Sequence, residues 1–79
     1  MRYVIMKSTR KHKKYMAVFQ NKKVHFGDNR YEQFKDSTRL QLYSHLNHYD
    51  KKRKQNYYAR HGKVAKLHSA KWFAHKFLW

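Results

Sequence analysis

The chain has 79 residues, no cysteine and a formal net charge of +16, which arises from 20 Lys and Arg against 4 Asp and Glu. A chain of this length forms one domain at most and buries only ~60% of the surface that its unfolded form exposes, and without cysteine it is not a disulfide scaffold. Its 41% of hydrophobic and 18% of aromatic residues are too many for a purely disordered basic tail. We therefore expect one small domain, residues 1–79, that gains part of its stability from a counter-charged partner.

The N-terminal part of the chain predicts strands separated by a basic segment. Residues 3–6 favour a short strand. Residues 7–14 form a basic N-terminal arm or loop, which is either a solvated linker or a segment laid along a phosphate backbone or an acidic protein surface. Residues 15–26 predict a short antiparallel β-hairpin with a four-residue loop at Gln20–Lys23, and residues 3–6 can add a third strand.

After Asp36 the alternating pattern gives way to a helical period. Asp36 or Ser37 can cap a helix that begins near Thr38. The apolar stripe of this helix is assigned to the core and consists of Leu40, Leu42, Tyr43 and Leu46.

The C-terminal segment predicts a last helix, capped by Ser69 and rich in aromatic side chains that either complete the core or dock into a partner. Taken together, the elements predict the α+β class. We expect the antiparallel hairpin at about 15–26 to be followed by two or three helices, which lie within 38–61 and 69–79.

The densest run of charge and aromatic rings extends from His48 to His61 and predicts a basic helix. Asn47 is the expected N-cap, Asp50 complements the positive helix end, and Gly62 marks the C-terminal end. One face of this helix is expected to carry Tyr49, Arg53, Tyr57 and Arg60.

The candidate binding residues are identified by a positive charge or by an aromatic ring. Residues 1–27 contain eight basic and no acidic side chains, and residues 51–79 contain nine basic and no acidic ones. The candidates for binding a polyanion or an acidic partner are Lys11, Lys13, Lys14, Lys51, Lys52, Arg53, Lys54 and Arg60. The candidate interface aromatics are Tyr49, Tyr57, Trp72, Phe73 and Trp79.

The run from 48 to 61 also has the pattern H-x-D-x-x-R-K-x-x-Y-x-x-R-H. Lys14-Tyr15 and His25-Phe26-Gly27 precede it, and the aromatic segment 69–79 follows it. In this order the chain resembles a family of small, basic, uncharacterised proteins of nucleocytoplasmic large DNA viruses, over about residues 14–79. The resemblance implies a viral setting: the virion, and the host cytoplasm or virus factory during assembly. It supplies no catalytic residues.

Catalysis is not expected from these side chains. The chain has no Cys nucleophile, no suitably placed carboxylate pair and no glycine-rich phosphate loop. His45 and His48 are three residues apart, and His61, His68 and His75 recur every seven residues. Zinc usually needs four ligands, commonly including Cys, and Gly62 interrupts the repeat, so the seven His are expected to pack, hydrogen-bond or titrate rather than hold a metal. We predict a non-enzymatic protein without a cofactor, a small-molecule substrate or a membrane span.

Two functions remain open. Basic side chains and exposed Tyr suit nucleic acid, and the lack of a known reading motif makes such binding sequence-independent. Alternatively, the chain is a minor capsid or cementing protein that binds acidic surfaces of larger virion proteins. Interfaces favour Arg and aromatics over Lys, so 14 Lys against 6 Arg weigh against a purely protein partner. The viral resemblance weighs for it. We expect the structural role, with DNA or RNA binding as the alternative.

Overall fold

The computed structural model describes residues 2–79, which form a three-stranded antiparallel sheet followed by two α-helices. The strands lie in the order β1-β2-β3. The predicted α+β class is confirmed, and the third strand forms one residue later than expected. The elements are β1 (Val4–Lys7), β2 (Lys13–Phe19), β3 (Lys22–Asp28), a 3₁₀ turn (Ser44–Leu46), α1 (Lys51–His61) and α2 (Ala70–Phe77).

The turn between β2 and β3 is shorter than predicted. Gln20 and Asn21 both have positive φ, 47° and 62°, as a two-residue type I′ turn requires. Lys22 pairs with Phe19 and Lys23 pairs with Val18, so both lysines belong to β3. The prediction of a four-residue loop was therefore wrong, because the strand pairing continues up to the turn.

The predicted basic arm or loop at residues 7–14 connects the first two strands. Lys7 ends β1, and Lys13 and Lys14 begin β2, which leaves residues 8–12 as a connection. The Ser8 N–H donates to the Lys14 carbonyl at 3.1 Å, and this bond closes the connection. The segment is thus a strand-to-strand loop instead of a free arm.

The core lies between one face of the sheet and α2. Alternation along β2 places Tyr15, Ala17 and Phe19 on this face, and the cross-strand pairing of Tyr15 with Phe26 continues it. Phe73 of α2 is fully buried against Phe26, with ring centroids 5.5 Å apart. The buried core residues are Tyr15, Ala17, Phe19, Phe26, Phe73 and Leu78.

Residues 38–43 are irregular, and the helix predicted to begin near Thr38 does not form. The Asp36 carboxylate accepts hydrogen bonds from the Thr38 N–H and hydroxyl, at 3.0 and 2.6 Å, and from the Tyr43 N–H at 3.2 Å. These bonds close a turn around the side chain, which competes with a helix. Leu40 and Leu42 are therefore exposed, and their assignment to the core was wrong.

Buried polar side chains hold the long segment between β3 and α1 in place. Gln33 is fully buried, and its Nε2 donates to the Tyr43 carbonyl at 2.8 Å and to Asn47 Oδ1 at 2.6 Å. The same Asn47 oxygen accepts from the Asp36 N–H at 2.7 Å. Asn47 is thus committed to this network, so it cannot cap α1 as predicted.

Helix α1 begins three residues later than expected. Asp50 is its N-cap, and its Oδ1 accepts from the Lys52 and Arg53 N–H groups at 2.9 and 3.2 Å. The predicted C-terminal end of α1 at Gly62 and the predicted N-cap of α2 at Ser69 are confirmed. Gly62 follows α1 with φ 77°, and Ser69 Oγ accepts from the Trp72 N–H at 3.2 Å.

Candidate functional site

The four acidic side chains are all engaged within the fold. Asp28 pairs with Arg30 at 2.7 Å and Glu32 pairs with Arg53 at 2.9 Å, which are the two ion pairs within residues 2–79. Asp36 lies in the buried network and Asp50 caps α1. The charge surplus of the chain therefore has no internal counterpart in the described part of the fold.

The largest concentration of arginine surrounds a cleft of about 750 Å³, which lies between α1, the ends of β2 and β3, and the segment after β3. We call it the basic cleft. Three of the six arginines line it. Its basic lining residues are Lys13, Lys14, Arg30, Arg53, Arg60 and His61, and its acidic ones are Asp28 and Glu32. Its apolar and aromatic lining residues are Gly27, Tyr31, Tyr57, Ala74, Leu78 and Trp79.

Two of the three arginines in the cleft already bind carboxylates. Arg30 makes a bidentate pair with Asp28, with donors at 3.0 and 2.7 Å, and these bonds hold the pKa of the Asp28 carboxyl well below its usual range. Arg53 binds the exposed Glu32. Arg60 and Lys13 make no ion pair with any residue from 2 to 79, so the cleft can accept further anionic groups.

An aromatic stack forms one wall of the cleft. The rings of Tyr57 and Trp79 are nearly parallel, with an interplanar angle of 8° and centroids 4.3 Å apart. Burial raises the pKa of Tyr57 to about 12, which keeps its phenol neutral. Tyr57 is the one buried residue of α1, so this stack is a principal attachment of the basic helix to the core.

His75 joins the same two helices. Its Nε2 lies 3.0 Å from the Gly62 carbonyl, which can only accept, so this nitrogen donates. Its Nδ1 then accepts from the Tyr57 hydroxyl at 3.0 Å. Burial lowers the pKa of His75, and the nearby Lys71 and His61 lower it further, against the raising effect of the Gly62 bond. The neutral ring thus connects α2 to α1 and its C-cap.

Four of the predicted cationic residues line the cleft: Lys13, Lys14, Arg53 and Arg60. Lys14 contributes to the wall but is only 2% exposed, and its amine donates to the Tyr31 carbonyl at 2.9 Å and to Gln33 Oε1. Burial lowers its pKa to about 8, against the raising effect of Asp36 and Asp28. The prediction that Lys14 binds a partner was wrong, because its amine serves the buried network.

The other predicted cations lie outside the cleft. Lys11 is exposed in the β1–β2 connection, and Lys51 and Lys52 are exposed in the first turn of α1. Lys54 lies on the Phe34 ring, 4.5 Å from its centroid. Arg30 was missed by the sequence analysis, although the close spacing of Asp28 and Arg30 could have indicated a local ion pair.

The predicted interface aromatics divide into core and surface. Phe73 is fully buried and Tyr57 is 8% exposed, so their assignment to an interface was wrong. Trp72 and Trp79 are partly buried, against Phe73 and Tyr57 respectively. Tyr49 is 60% exposed, but it precedes α1 and therefore does not belong to the predicted helical face.

The described part of the chain contains neither a cluster of metal-ligating side chains nor a helix that could cross a membrane. Within residues 2–79, no three His, Cys, Asp or Glu side chains are grouped so that they could hold a metal ion. None of the helices in this range is long and apolar enough to span a membrane.

The chain matches a known protein family over most of its length. The profile of a family described as being of unknown function (DUF5754) matches residues 3–61, from the start of the sheet to the last residue of α1. No curated protein and no solved structure matches the chain. The matched range includes Lys13, Arg30, Arg53 and Arg60 of the cleft, whereas Trp79 and the core residues of α2 lie beyond it.

Proposed function

We propose that this chain, which belongs to the DUF5754 family, is a non-enzymatic structural protein of a large DNA virus particle. In this role it is a small minor capsid or cementing component. Its basic cleft and the exposed cations of α1 bind acidic surfaces of neighbouring proteins. The viral setting is inferred from the sequence resemblance, and the binding chemistry from the geometry of the cleft.

The observation that carries the proposal is the disposition of charge. The fold uses Asp28, Glu32, Asp36 and Asp50 internally, while the net charge stays at +16. Repulsion among the remaining cations opposes the compact state, and a partner that binds only the folded chain stabilises it. An anionic partner therefore fits both the surface and the stability of the domain.

The lining of the cleft favours a protein as that partner. Arg groups line the cleft beside the partly exposed Trp79 ring, and protein interfaces likewise combine Arg with aromatic residues. Arg30 and Arg53 already bind carboxylates there. An Asp or Glu of a neighbouring protein at Arg60 would repeat the same chemistry.

Nucleic-acid binding is the second candidate, and two exposed rings favour it. Tyr31 is 66% and Tyr49 is 60% exposed, and Arg30 lies 5.9 Å from the centroid of the Tyr31 ring. Exposed rings beside cations can stack on unpaired bases while the cations bind phosphates. Such binding would be independent of sequence and would weaken steeply with salt.

Purified virus particles that contain the chain can distinguish the two candidates. The particles are opened and treated with nuclease at constant salt, and the shell is then washed in a salt series. The structural role predicts that the chain stays with the shell after nuclease, since carboxylates and apolar surface hold it there. Release of the chain together with the digested genome would favour the second candidate, and absence of the chain from the particles would overturn the virion role.

A further inference from the structure

The sheet has a second face, turned away from α2, that carries apolar side chains. Val4 pairs with Val18 and Met6 pairs with Met16, and cross-strand partners lie on the same face of a sheet. The neighbouring pairs of Ile5 with Ala17 and Lys7 with Tyr15 face the core side. We call Val4, Met6, Met16 and Val18 the outer face.

The exposed part of the outer face lies on β1. Val4 is 61% and Met6 is 45% exposed, whereas Met16 is only 5% exposed and Val18 is half-buried. Natural edge strands are commonly protected by charged side chains. At the other edge of the sheet, β3 begins with exposed Lys22 and Lys23, but β1 has a charge only at its end, Lys7.

The backbone of β1 is also open on one side. Within residues 2–79 it pairs with β2 alone, and the N–H and C=O groups along its other side make no backbone hydrogen bond to another part of the described chain. A strand with a free edge and exposed alternate side chains is the receiving element in β-strand addition. The main chain then supplies affinity, and the alternate side chains supply specificity.

The charge around β1 indicates what can occupy this edge. Arg2, Lys7, Arg10 and Lys11 are exposed near the two ends of the strand, and residues 1–27 contain eight basic and no acidic side chains. A second copy of the chain would bring two such segments together and be repelled. An acidic segment would be attracted, and apolar side chains on it would cover Val4 and Met6.

We propose that β1 receives an extended acidic segment of a partner protein as a fourth strand. Apolar side chains of that segment continue the outer face beside Val4 and Met6, and its acidic side chains lie on the other face, beside Lys7. This interface shares no residue with the basic cleft and does not depend on its function. A chain with both interfaces could join two different neighbours.

The first test uses two synthetic peptides of about eight residues, a typical strand length. One alternates Val with Glu, and the other alternates Ser with Glu and carries the same charge. We expect the Val-Glu peptide to bind at least about ten-fold more tightly and to slow hydrogen exchange of backbone amides within Val4–Lys7. Equal affinities, or no added protection in β1, would overturn the proposal, because general electrostatic attraction would then explain the binding.

The second test uses Val4→Lys and Met6→Lys, with Val64→Lys as the matched control, since Val64 is 89% exposed between the two helices. Each change adds one positive charge, so general attraction would strengthen peptide binding in all three variants. We expect about ten-fold weaker binding of the Val-Glu peptide in the β1 variants and no loss in the control. Retained binding in both β1 variants would contradict the proposal.

Two further measurements test whether misfolding of the variants or self-association of the chain could explain the results. Met6→Thr removes apolar surface without adding charge and keeps a residue suited to strands, so it should also weaken binding if thermal unfolding shows that the variant is folded. Sedimentation of the wild type should show a monomer. A dimer that Met6→Lys dissociates would instead identify a second copy of the chain as the occupant, and would overturn the proposal.

Discussion

The Tyr15 hydroxyl donates a hydrogen bond to the buried Asp36 carboxylate, across 21 residues of sequence. It also accepts from the Leu42 N–H at 2.9 Å. Burial, and then the bond to Asp36, raise the pKa of Tyr15 to about 12, so the phenol keeps its proton. Through these two hydrogen bonds, the Tyr15 hydroxyl fixes the segment after β3 to the sheet.

Replacement of Tyr15 by Phe should therefore destabilise the fold. It leaves the Leu42 N–H without its acceptor and removes a donor from Asp36, and an unsatisfied buried group costs about 1–3 kcal/mol. We expect a loss of about 2 kcal/mol in the free energy of unfolding, measured in urea. Tyr49→Phe is the control, because its hydroxyl makes only an exposed bond to Asn47. Equal losses in both variants would contradict this account of the Tyr15 bond.

The contact of Gly27 with Leu78 gives a second prediction. Gly27 has φ +76°, and a Cβ atom there would lie 2.8 Å from Leu78 Cδ1. Gly62 has φ +77°, but in the described part of the chain nothing lies within 4 Å of a Cβ atom at that position. Left-handed backbone costs an alanine about 1–2 kcal/mol, and overpacking adds about 1–3 kcal/mol.

Gly27→Ala should thus lower the free energy of unfolding by about 3 kcal/mol, and Gly62→Ala by about 1 kcal/mol. Because both variants share the backbone cost, the difference between them measures the crowding at Gly27 by Leu78 and by Lys14, whose Cβ and Cδ atoms would lie 3.2 Å from the added Cβ. Similar losses would mean that Leu78 and Lys14 move aside without cost. Denaturant unfolding of the two purified variants provides the measurement.

The elements that the sequence predicted correctly depend on neighbouring residues. The alternation of Tyr15, Ala17 and Phe19 is visible in β2 alone, and Ser69 and Gly62 act on the helix ends beside them. These signals are local, so no knowledge of the tertiary structure was needed to find the sheet, the last helix or the end of α1.

The errors arise where a distant residue decides the local structure. The sequence predicts that Asp36 can cap a helix. In the fold, its carboxylate accepts hydrogen bonds from the Tyr15 hydroxyl and the Tyr43 N–H, and these bonds stabilise a turn instead. Lys14 carries a charge that suggests a partner, but Gln33, 19 residues away, accepts from its amine. In the cleft, Arg53 and Arg60 were predicted from α1, whereas Arg30 enters from the segment after β3.

The bonds of His75 predict a dependence of stability on pH. Burial lowers the pKa of His75 in the folded chain, so the unfolded chain binds more protons as the pH falls through 6.5, the ordinary value. The free energy of unfolding should therefore decrease as the pH falls below about 7, and His25 and His48, whose pKa values are also lowered by burial, act in the same direction.

His75→Gln should flatten this decrease between pH 7 and pH 5, the range in which histidine titrates. Urea unfolding at several pH values gives the slope for each protein. High salt screens the general repulsion of a chain with a net charge of +16, so the difference between wild type and variant should persist there. An unchanged slope in the variant would contradict this account, because His75 would then bind the same number of protons in the folded and the unfolded chain over this range.

The last prediction concerns Arg60, which has no ion-pair partner among residues 2–79 and lines the basic cleft. Lys66 is exposed between the helices and is the matched control. If the cleft binds acidic protein surfaces, Arg60→Ala should weaken the binding of poly-glutamate about ten-fold, and Lys66→Ala should have a much smaller effect. Isothermal titration at moderate salt gives both affinities.

The affinities of the same two variants for random-sequence duplex DNA show whether all exposed cations contribute equally to binding. Diffuse binding to phosphates predicts equal losses for Arg60→Ala and Lys66→Ala, with each lost contact reducing the salt slope by ~0.9. A specific role of the cleft predicts unequal losses, because Arg60 lines the cleft together with Trp79 and two further arginines, whereas Lys66 is exposed between the helices and does not line the cleft. Equal losses with both poly-glutamate and DNA would remove the basic cleft as the binding site and leave the net charge alone to explain the affinity.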